Sequence, residues 1–326
     1  MAGVPSVRSV LDSALEIAVP VSFSRLGYTT RRSMWRWSAP ASAASGRVIV
    51  VTGATSGLGF ETAAELLAAG ATVDIVARDA GRGAAAADRL GEVAGTDPPS
   101  VRLADLGDLN QVRALADELA AAHREIDGLV HNAGAMPTER VLTSDGLEAS
   151  WAAMVAGPHL LTRLLGDRLA RARVVWVTSG GLYTQRLPLR DPTYAEGGFK
   201  GSVAYARAKR AQVDLVAEYA RRMLPGPGAA VVAVHPGWAD TPGVIESLPR
   251  FHRVMGPLLR SPAEGVDTVV WAVAGGEEIE NGRLYFDREV RSVSRWPGTA
   301  TSADDRRALW RLVEAQCGLA VENGLV

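Results

Sequence analysis

The sequence predicts a single doubly wound α/β domain, a parallel sheet of about seven strands covered by helices on both faces, preceded by a helical N-terminal appendage. Three observations lead there. From Arg47 onward, strand-length apolar runs alternate with helix-length patterns. The first run, Val48 to Val51, is continuously apolar, as a strand buried on both faces must be. It is followed at once by Gly53, Gly57 and Gly59, in the spacing T-G-x-x-x-G-x-G, and then by a helical pattern from Phe60 to Ala69.

Residues 1–46 form the appendage and its linker, and residues 47–326 the domain. Val7, Val10, Leu11, Ala14, Leu15, Ala18 and Val19 recur at helical spacing with Asp12 and Glu16 opposite, and Pro20 should end that helix. The acidic residues and the lack of a small-residue cleavage site argue against a secretory signal. Next, Phe23, Tyr28, Trp35 and Trp37 interleave with Arg25, Arg31, Arg32 and Arg36, and Ser38 to Ser45 reads as a linker. The plain expectation is a helix packed on the domain surface. Peripheral membrane contact through residues 1–40, or a substrate entrance, also suits this composition.

Within the domain, further strands are expected at Thr72–Ala77, Val101–Leu103, Ile126–His131, Arg173–Thr178, Ala229–His235 and Arg283–Phe286. The helices between them should run to about Ala94, over Leu109–His123, from about Asp145 to Leu169, over Ser202–Met223 and over Pro262–Val273. No composition break suggests a second domain. A hydrophobic content of 47% with 22% charged residues suits a globular core, and a net charge of −1 argues against nucleic-acid binding. The lone cysteine, Cys317, leaves no disulfide framework and no thiol metal site, and no metal is expected. No run is long enough to span a membrane, so a cytoplasmic protein, at most peripheral to a membrane, is expected.

In doubly wound sheets ligands bind beyond the carboxyl ends of the strands. After the first strand the loop Gly53, Thr55, Ser56, Gly57, Leu58, Gly59 offers a tight turn, close backbone approach and a helix start, which together cradle a pyrophosphate. After the second comes Arg78, where an NAD site would place an acid; arginine pairs instead with a 2′-phosphate, which favours NADP. After the third lie Asp105 and Leu106 beside the adenine, after the fourth Asn132, Ala133 and Gly134, after the fifth Ser179, and after the sixth Pro236, Gly237 and Thr241. Tyr205 and Lys209 are four apart on a helix and therefore share a face. A phenol titrates near 10 on its own, and a neighbouring ammonium stabilises its anion enough for acid–base work.

TGATSGLG at Thr52–Gly59, NAG at Asn132–Gly134, Ser179, YARAK at Tyr205–Lys209 and HPG at His235–Gly237 resemble the short-chain dehydrogenase/reductase family over residues 47 to about 290. TSGGLYTQ at Thr178–Gln185, HPGWADTPGV at His235–Val244 and FDRE at Phe286–Glu289 are similar to the retinol-dehydrogenase-like branch, and within it to the group of SDR family member 12. The resemblance implies a Rossmann-type fold. It also implies Tyr205 as acid–base, Lys209 lowering its pKa and binding the nicotinamide ribose, Ser179 orienting the reacting oxygen, and Thr241 at the nicotinamide carboxamide. The implied activity is an NADP-dependent hydride transfer to or from a lipophilic carbonyl or alcohol. Homo-oligomers in the family often form through the two long helices, here expected at Asp145–Leu169 and Ser202–Met223.

Two positions depart from the family pattern. His131 replaces the first of two asparagines, and Met154 stands where an asparagine anchors the water of the proton relay. A thioether cannot replace an amide there, so a dinucleotide-binding regulator with little turnover is the alternative. The substrate pocket is expected from the Leu182–Lys200 insertion and from Leu248, Phe251, Met255 and Leu258 in the Ile245–Leu259 stretch.

Overall fold

The computed structural model describes residues 7–134, 136–222, 226, 228–295 and 298–320, with the backbone alone for residues 7–10. Seven parallel strands run β1 Val48–Thr52, β2 Thr72–Ala77, β3 Ser100–Leu103, β4 Gly128–His131, β5 Arg173–Val177, β6 Ala230–Val234 and β7 Leu284–Phe286. An eighth, β8 Glu289–Arg291, turns back antiparallel on β7, so the sheet order is β3-β2-β1-β4-β5-β6-β7-β8. The sequence did not announce β8. Its hairpin places Asp287 and Arg288 at φ +53° and +58°, a conformation usually signalled by Asn-Gly.

The central strands are apolar on both faces because helices cover both. On one side α4 (Gly57–Ala68), α5 (Ala80–Ala94) and a later helix, Pro262–Ala274, bury Phe60, Leu66, Leu90 and Val269 against Ile49, Val51 and Ile75. On the other lie α6 (Leu109–Ala122), α7 (Ala149–Trp151), α8 (Gly157–Leu165) and α9 (Gly201–Arg222). Strand order reverses between β1 and β4, which opens the crevice in which a ligand can sit.

The expected long helix from Asp145 to Leu169 is broken. After α7 comes a π-turn, Ala152–Ala156, then α8, then a 3-10 turn over Gly166–Leu169. Pro158 explains the break: it has no N–H to give the Met154 carbonyl one turn earlier. The Gln212 amide donates to that carbonyl instead, at 2.8 Å. Helices α10 (Pro242–Ser247), α11 (Pro249–Met255) and α13 (Ala303–Gln316) were not expected, while α12 is the predicted Pro262 helix. Trp310 of α13 packs on both His159 of α8 and Tyr219 of α9, so α13 lies across the two helices expected to carry an oligomer contact. The predicted end of α9 at Met223 falls outside the described residues.

The N-terminal segment also differs from expectation. Its described residues fold as three helices, α1 Val7–Ile17, α2 Val19–Phe23 and α3 Arg25–Trp35. Pro20 ends α1, yet it also starts α2, because a helix's first turn does not use the missing N–H. Phe23 joins the core cluster of the domain, and Tyr28 and Arg31 are buried as well. The expected contributions of the Val7 and Val10 side chains lie outside the described residues.

Candidate active site

The loop ends of β1, β2, β4, β5 and β6 surround one cavity of about 630 Å³. Gly53 leaves β1 at φ +67° and Gly57 begins α4 at φ +57°, both in the left-handed region where a side chain is strained. Ser56 stands at the N-cap without using its side chain, so the first-turn N–H groups of α4 lack that cap. Gly59 does not line the cavity. It sits behind it, where a Cβ would run into the Gly53 carbonyl and the Asn132 amide.

Asn132 is used differently from expectation. It lines the cavity, yet its amide donates to the carbonyls of Thr52 (3.1 Å) and Gly53 (3.2 Å), while the Thr52 hydroxyl accepts from the N–H of Asn132 and Ala133. The amide therefore ties the β1 and β4 loops together. Gly134 follows, with the Met154 sulfur packed beneath it; a Cβ there would be 3.2 Å from that sulfur. Met154 is fully buried and does not reach the cavity. His131 faces the core, bonded to the Thr162 hydroxyl at 2.7 Å, and burial pushes its pKa down to about 3.

At the β2 end Arg78 lines the cavity, and so does Arg82, which the sequence reading missed although it lies one turn further along. Asp79 turns to cap α5, accepting from the Arg82 N–H at 2.7 Å. Asp105 and Leu106 line the same end, and the Asp105 carboxylate accepts from the Gly107 N–H.

At the other end Ser179, Tyr205 and Lys209 come together. Lys209 is buried, forms no ion pair among the described residues, and donates to the Val177 carbonyl at 2.7 Å, with its Nζ 5.4 Å from the centre of the Tyr205 ring. Burial pushes the ammonium down to about 7. Burial also raises the Tyr205 phenol, opposed only by its hydrogen bond with Ser179. Pro236, Gly237 and Thr241 face them, and Thr241 lies across from the glycine loop, its Cβ 3.6 Å from where a Gly57 Cβ would be. His235 itself is buried and accepts from the Gly237 N–H at 2.8 Å, which sets the turn; its pKa falls to about 3 through burial and the nearby Arg260.

The mouth is apolar. Leu248 and Phe251 line it as expected, but Met255 and Leu258 do not, and from the Leu182–Lys200 insertion only Thr184 does. The insertion instead folds inward, burying Leu182, Tyr183 and Tyr194. Met136, Trp238 and Val244 take its place at the cavity wall.

A glycine cradle at a strand-order reversal, with a tyrosine, lysine and serine at its far end, defines a dinucleotide-dependent oxidoreductase. The family model described as short chain dehydrogenase matches residues 47–249, and the chain belongs to the short-chain dehydrogenase/reductase family, in its retinol-dehydrogenase-like branch. Human dehydrogenase/reductase SDR family member 12 is 37% identical over 266 residues, covering 79% of this chain and 82% of the relative. Human retinol dehydrogenase 12 is 36% identical over 255 residues, covering 76% and 80%. The crystal structure of an uncharacterized protein from Mycobacterium paratuberculosis superposes with a TM-score of 0.69 at 29% identity, covering 87% of this chain and 98% of that one.

Proposed function

We propose that the protein is an NADP-dependent oxidoreductase that transfers hydride between the nicotinamide and a lipophilic carbonyl or alcohol. The observation that carries this reading is Lys209: a buried ammonium with no carboxylate partner among the described residues, beside a phenol that opens on the cavity. Such a charge is costly to bury unless the site uses it. The cradle fits a dinucleotide: Gly53 and Gly57 turn through the left-handed region at the cavity wall, where side chains would be strained, and Gly59 lets α4 pack close behind them. When bound, the dinucleotide supplies or accepts the hydride.

The chain supplies the proton chemistry. In the free protein the phenol is held protonated, the state needed to give a proton to a carbonyl oxygen being reduced. Ser179 orients that oxygen, and Lys209 stabilises the phenolate left behind. Arg78 and Arg82 at the adenosine end favour a 2′-phosphate and hence NADP. The apolar mouth, with the names of the retinol dehydrogenase relatives, supports a lipophilic substrate. No helix among the described residues is long and apolar enough to cross a membrane. Ile17, Val21 and Leu26 stay exposed on the N-terminal segment and are available for peripheral contact.

Tyr205→Phe tests the reading. It removes one hydroxyl, so the fold and NADPH affinity should survive, while carbonyl reduction falls by about 10²–10⁴-fold. Reduction that proceeds at the wild-type rate would sink the mechanism. Tight NADPH binding by a wild type that reduces no carbonyl would favour the regulator reading raised by Met154.

A further inference from the structure

The loops that carry the reacting groups leave the sheet side by side, and past one bond the sheet no longer fixes their spacing. That last bond between them is Thr178 N–H to the Val234 carbonyl, 2.8 Å. Beyond it, Ser179 and Gly180 go one way and Pro236 to Thr241 the other. Phe23, from the N-terminal segment, fills the gap behind them. Its ring centre is 4.4 Å from that of His235 and 5.7 Å, edge to face, from that of Trp238. A Cβ on Gly180 would meet Phe23 Cε2 at 3.2 Å and His235 Nε2 at 3.1 Å, so the serine loop rests directly on both.

The backbone contacts repeat the arrangement. The Phe23 carbonyl accepts from the Trp238 N–H at 2.8 Å and from Arg260 Nε at 3.1 Å. Arg260 underlies Gly237, where a Cβ would collide with its guanidinium, and its backbone brackets the loop by bonding to the Trp238 carbonyl and the Asp240 N–H. Arg260 also donates to the Ser22 carbonyl and is held by both oxygens of Asp287. Arg31 holds the second of those oxygens from the other side, at 2.7 Å, and shares the Ser22 carbonyl. Arg31, Arg260 and Asp287 are all buried.

We propose that Phe23, locked by the Arg31–Asp287–Arg260 cluster, is a positioning residue that sets the distance between the Ser179 loop and the Pro236–Thr241 loop. The N-terminal segment is thereby part of the active-site frame. This rests on the oxidoreductase reading above. Hydride transfer needs the substrate oxygen at Ser179 and Tyr205 aligned with a ring held from the Thr241 side, and a misplacement of about 1 Å can cost about a hundredfold in rate. Phe23 does not line the cavity; it acts through the two loops.

The test uses full-length Phe23→Ala and Phe23→Leu with three readouts: kcat, NADPH affinity, and affinity for adenosine 2′,5′-bisphosphate, which reaches only the adenosine end. Phe23→Ala should bind the bisphosphate as the wild type does, bind NADPH more weakly, and lose about ten- to a hundredfold in kcat, with Phe23→Leu recovering part of that loss. Unchanged kcat per bisphosphate-binding site would overturn the proposal. So would bisphosphate and NADPH affinities that fall together with the melting temperature, the mark of a merely structural residue. If Phe23→Ala does not fold, Phe23→Leu and Arg260→Lys must still show lower kcat with intact bisphosphate binding, or the proposal fails. A wild type that neither binds NADPH nor reduces any carbonyl would refute the oxidoreductase reading itself, a different result.

Discussion

The nucleotide-binding half, residues 47–134, and the N-terminal segment, residues 11–37, are held in the same molecule by different forces. The first is an apolar sandwich: Ile49, Val51, Ile75 and Val130 are fully buried between helices, and the loops above are tied by neighbouring backbone and Thr52–Asn132 bonds. The second is anchored largely by charge. Arg31 reaches Asp287, 256 residues away, and Asp12 reaches Arg291 across 279 residues. Arg295 pairs with Glu16, and Arg288 with Asp267, to which the Tyr28 hydroxyl also bonds. An apolar stripe can be exchanged methyl by methyl. A buried ion cluster cannot, because removing one partner leaves the other charged and out of water.

Breaking each region once should expose that asymmetry. Asp287→Ala leaves the buried Arg260 guanidinium with no ion-pair partner among the described residues, while Arg31 keeps Asp12 and Glu16, and should cost about 3–5 kcal/mol of stability. Ile49→Val in the centre of β1 removes one methylene and should cost about 0.5–1.5 kcal/mol. Urea unfolding of both variants decides the matter. Comparable losses would mean that the cluster is solvated and that the N-terminal segment is a loose cover.

Acid sharpens the comparison, because a histidine buried as the neutral form lies in the nucleotide-binding half and another packs against the N-terminal segment. His131, at the end of β4, and His235, stacked on Phe23, are both pushed down to about 3 by burial, and His159, between α8 and α13, is lowered too. The unfolded chain protonates each near 6.5 and the native one does not, so their contribution to stability is complete above that value and is lost as pH falls toward 3. Glu65 works the other way: burial raises it to about 7, so the native state holds an extra proton and stability is lost as pH rises from the ordinary carboxylate value toward 7. His131 and His235 against Glu65 leave a slope on the order of one proton between pH 4.5 and 6.5, and His159 adds to it in the same direction. Chemical denaturation at several pH values measures it. A flat profile there would mean that the buried histidines are hydrated or ionised.

How much of this was legible follows the same division. The glycine loop, the strand ends and the Tyr205–Lys209 pair are local patterns, and each was placed from spacing alone. Arg31 reads in the sequence no differently from Arg32, and only Arg260 and Asp287, far along the chain, set it apart. Pro20 ended the first helix as expected, but Pro158 was overlooked, and it split the predicted long helix and left the Met154 carbonyl to Gln212. The Leu182–Lys200 insertion was assigned to the pocket, but its place in the chain does not say which way a loop folds. Helix α13 could have been found: Ser302 caps it, Asp304 and Asp305 open it, and Leu309, Trp310 and Val313 share a face.

Three changes at the cofactor site should show on the ligand as well as, or instead of, on stability. Gly59→Ala pushes a methyl into the Gly53 carbonyl and the Asn132 Nδ2, which already donates two hydrogen bonds, for about 1–3 kcal/mol. Thermal melting should register that loss, and fluorescence titration should show NADPH affinity falling with it. Arg78→Ala should leave the melting temperature in place and weaken NADPH by about ten- to a hundredfold, the scale of one charge-assisted contact, while NADH is little affected. Arg82→Ala should act in the same sense. Equal losses for NADPH and NADH in the arginine variants would remove the basis for an NADP preference.

The smallest effect on the folded protein is expected from the outward side of the N-terminal segment. Leu26 is 55% exposed, one turn before the buried Arg31 and only three residues after the buried Phe23. Serine there removes no packing, so stability should stay within about 0.5 kcal/mol of the wild type. Activity on a water-soluble carbonyl should be unchanged, because the inward face that braces the two loops is untouched. If that outward face rests on a membrane, transferring the exposed half of Leu26 from water to lipid contributes about 1–1.5 kcal/mol, and Leu26→Ser should reduce sedimentation with phospholipid vesicles by about five- to tenfold. Vesicle sedimentation indifferent to the substitution would assign the segment wholly to the frame of the active site.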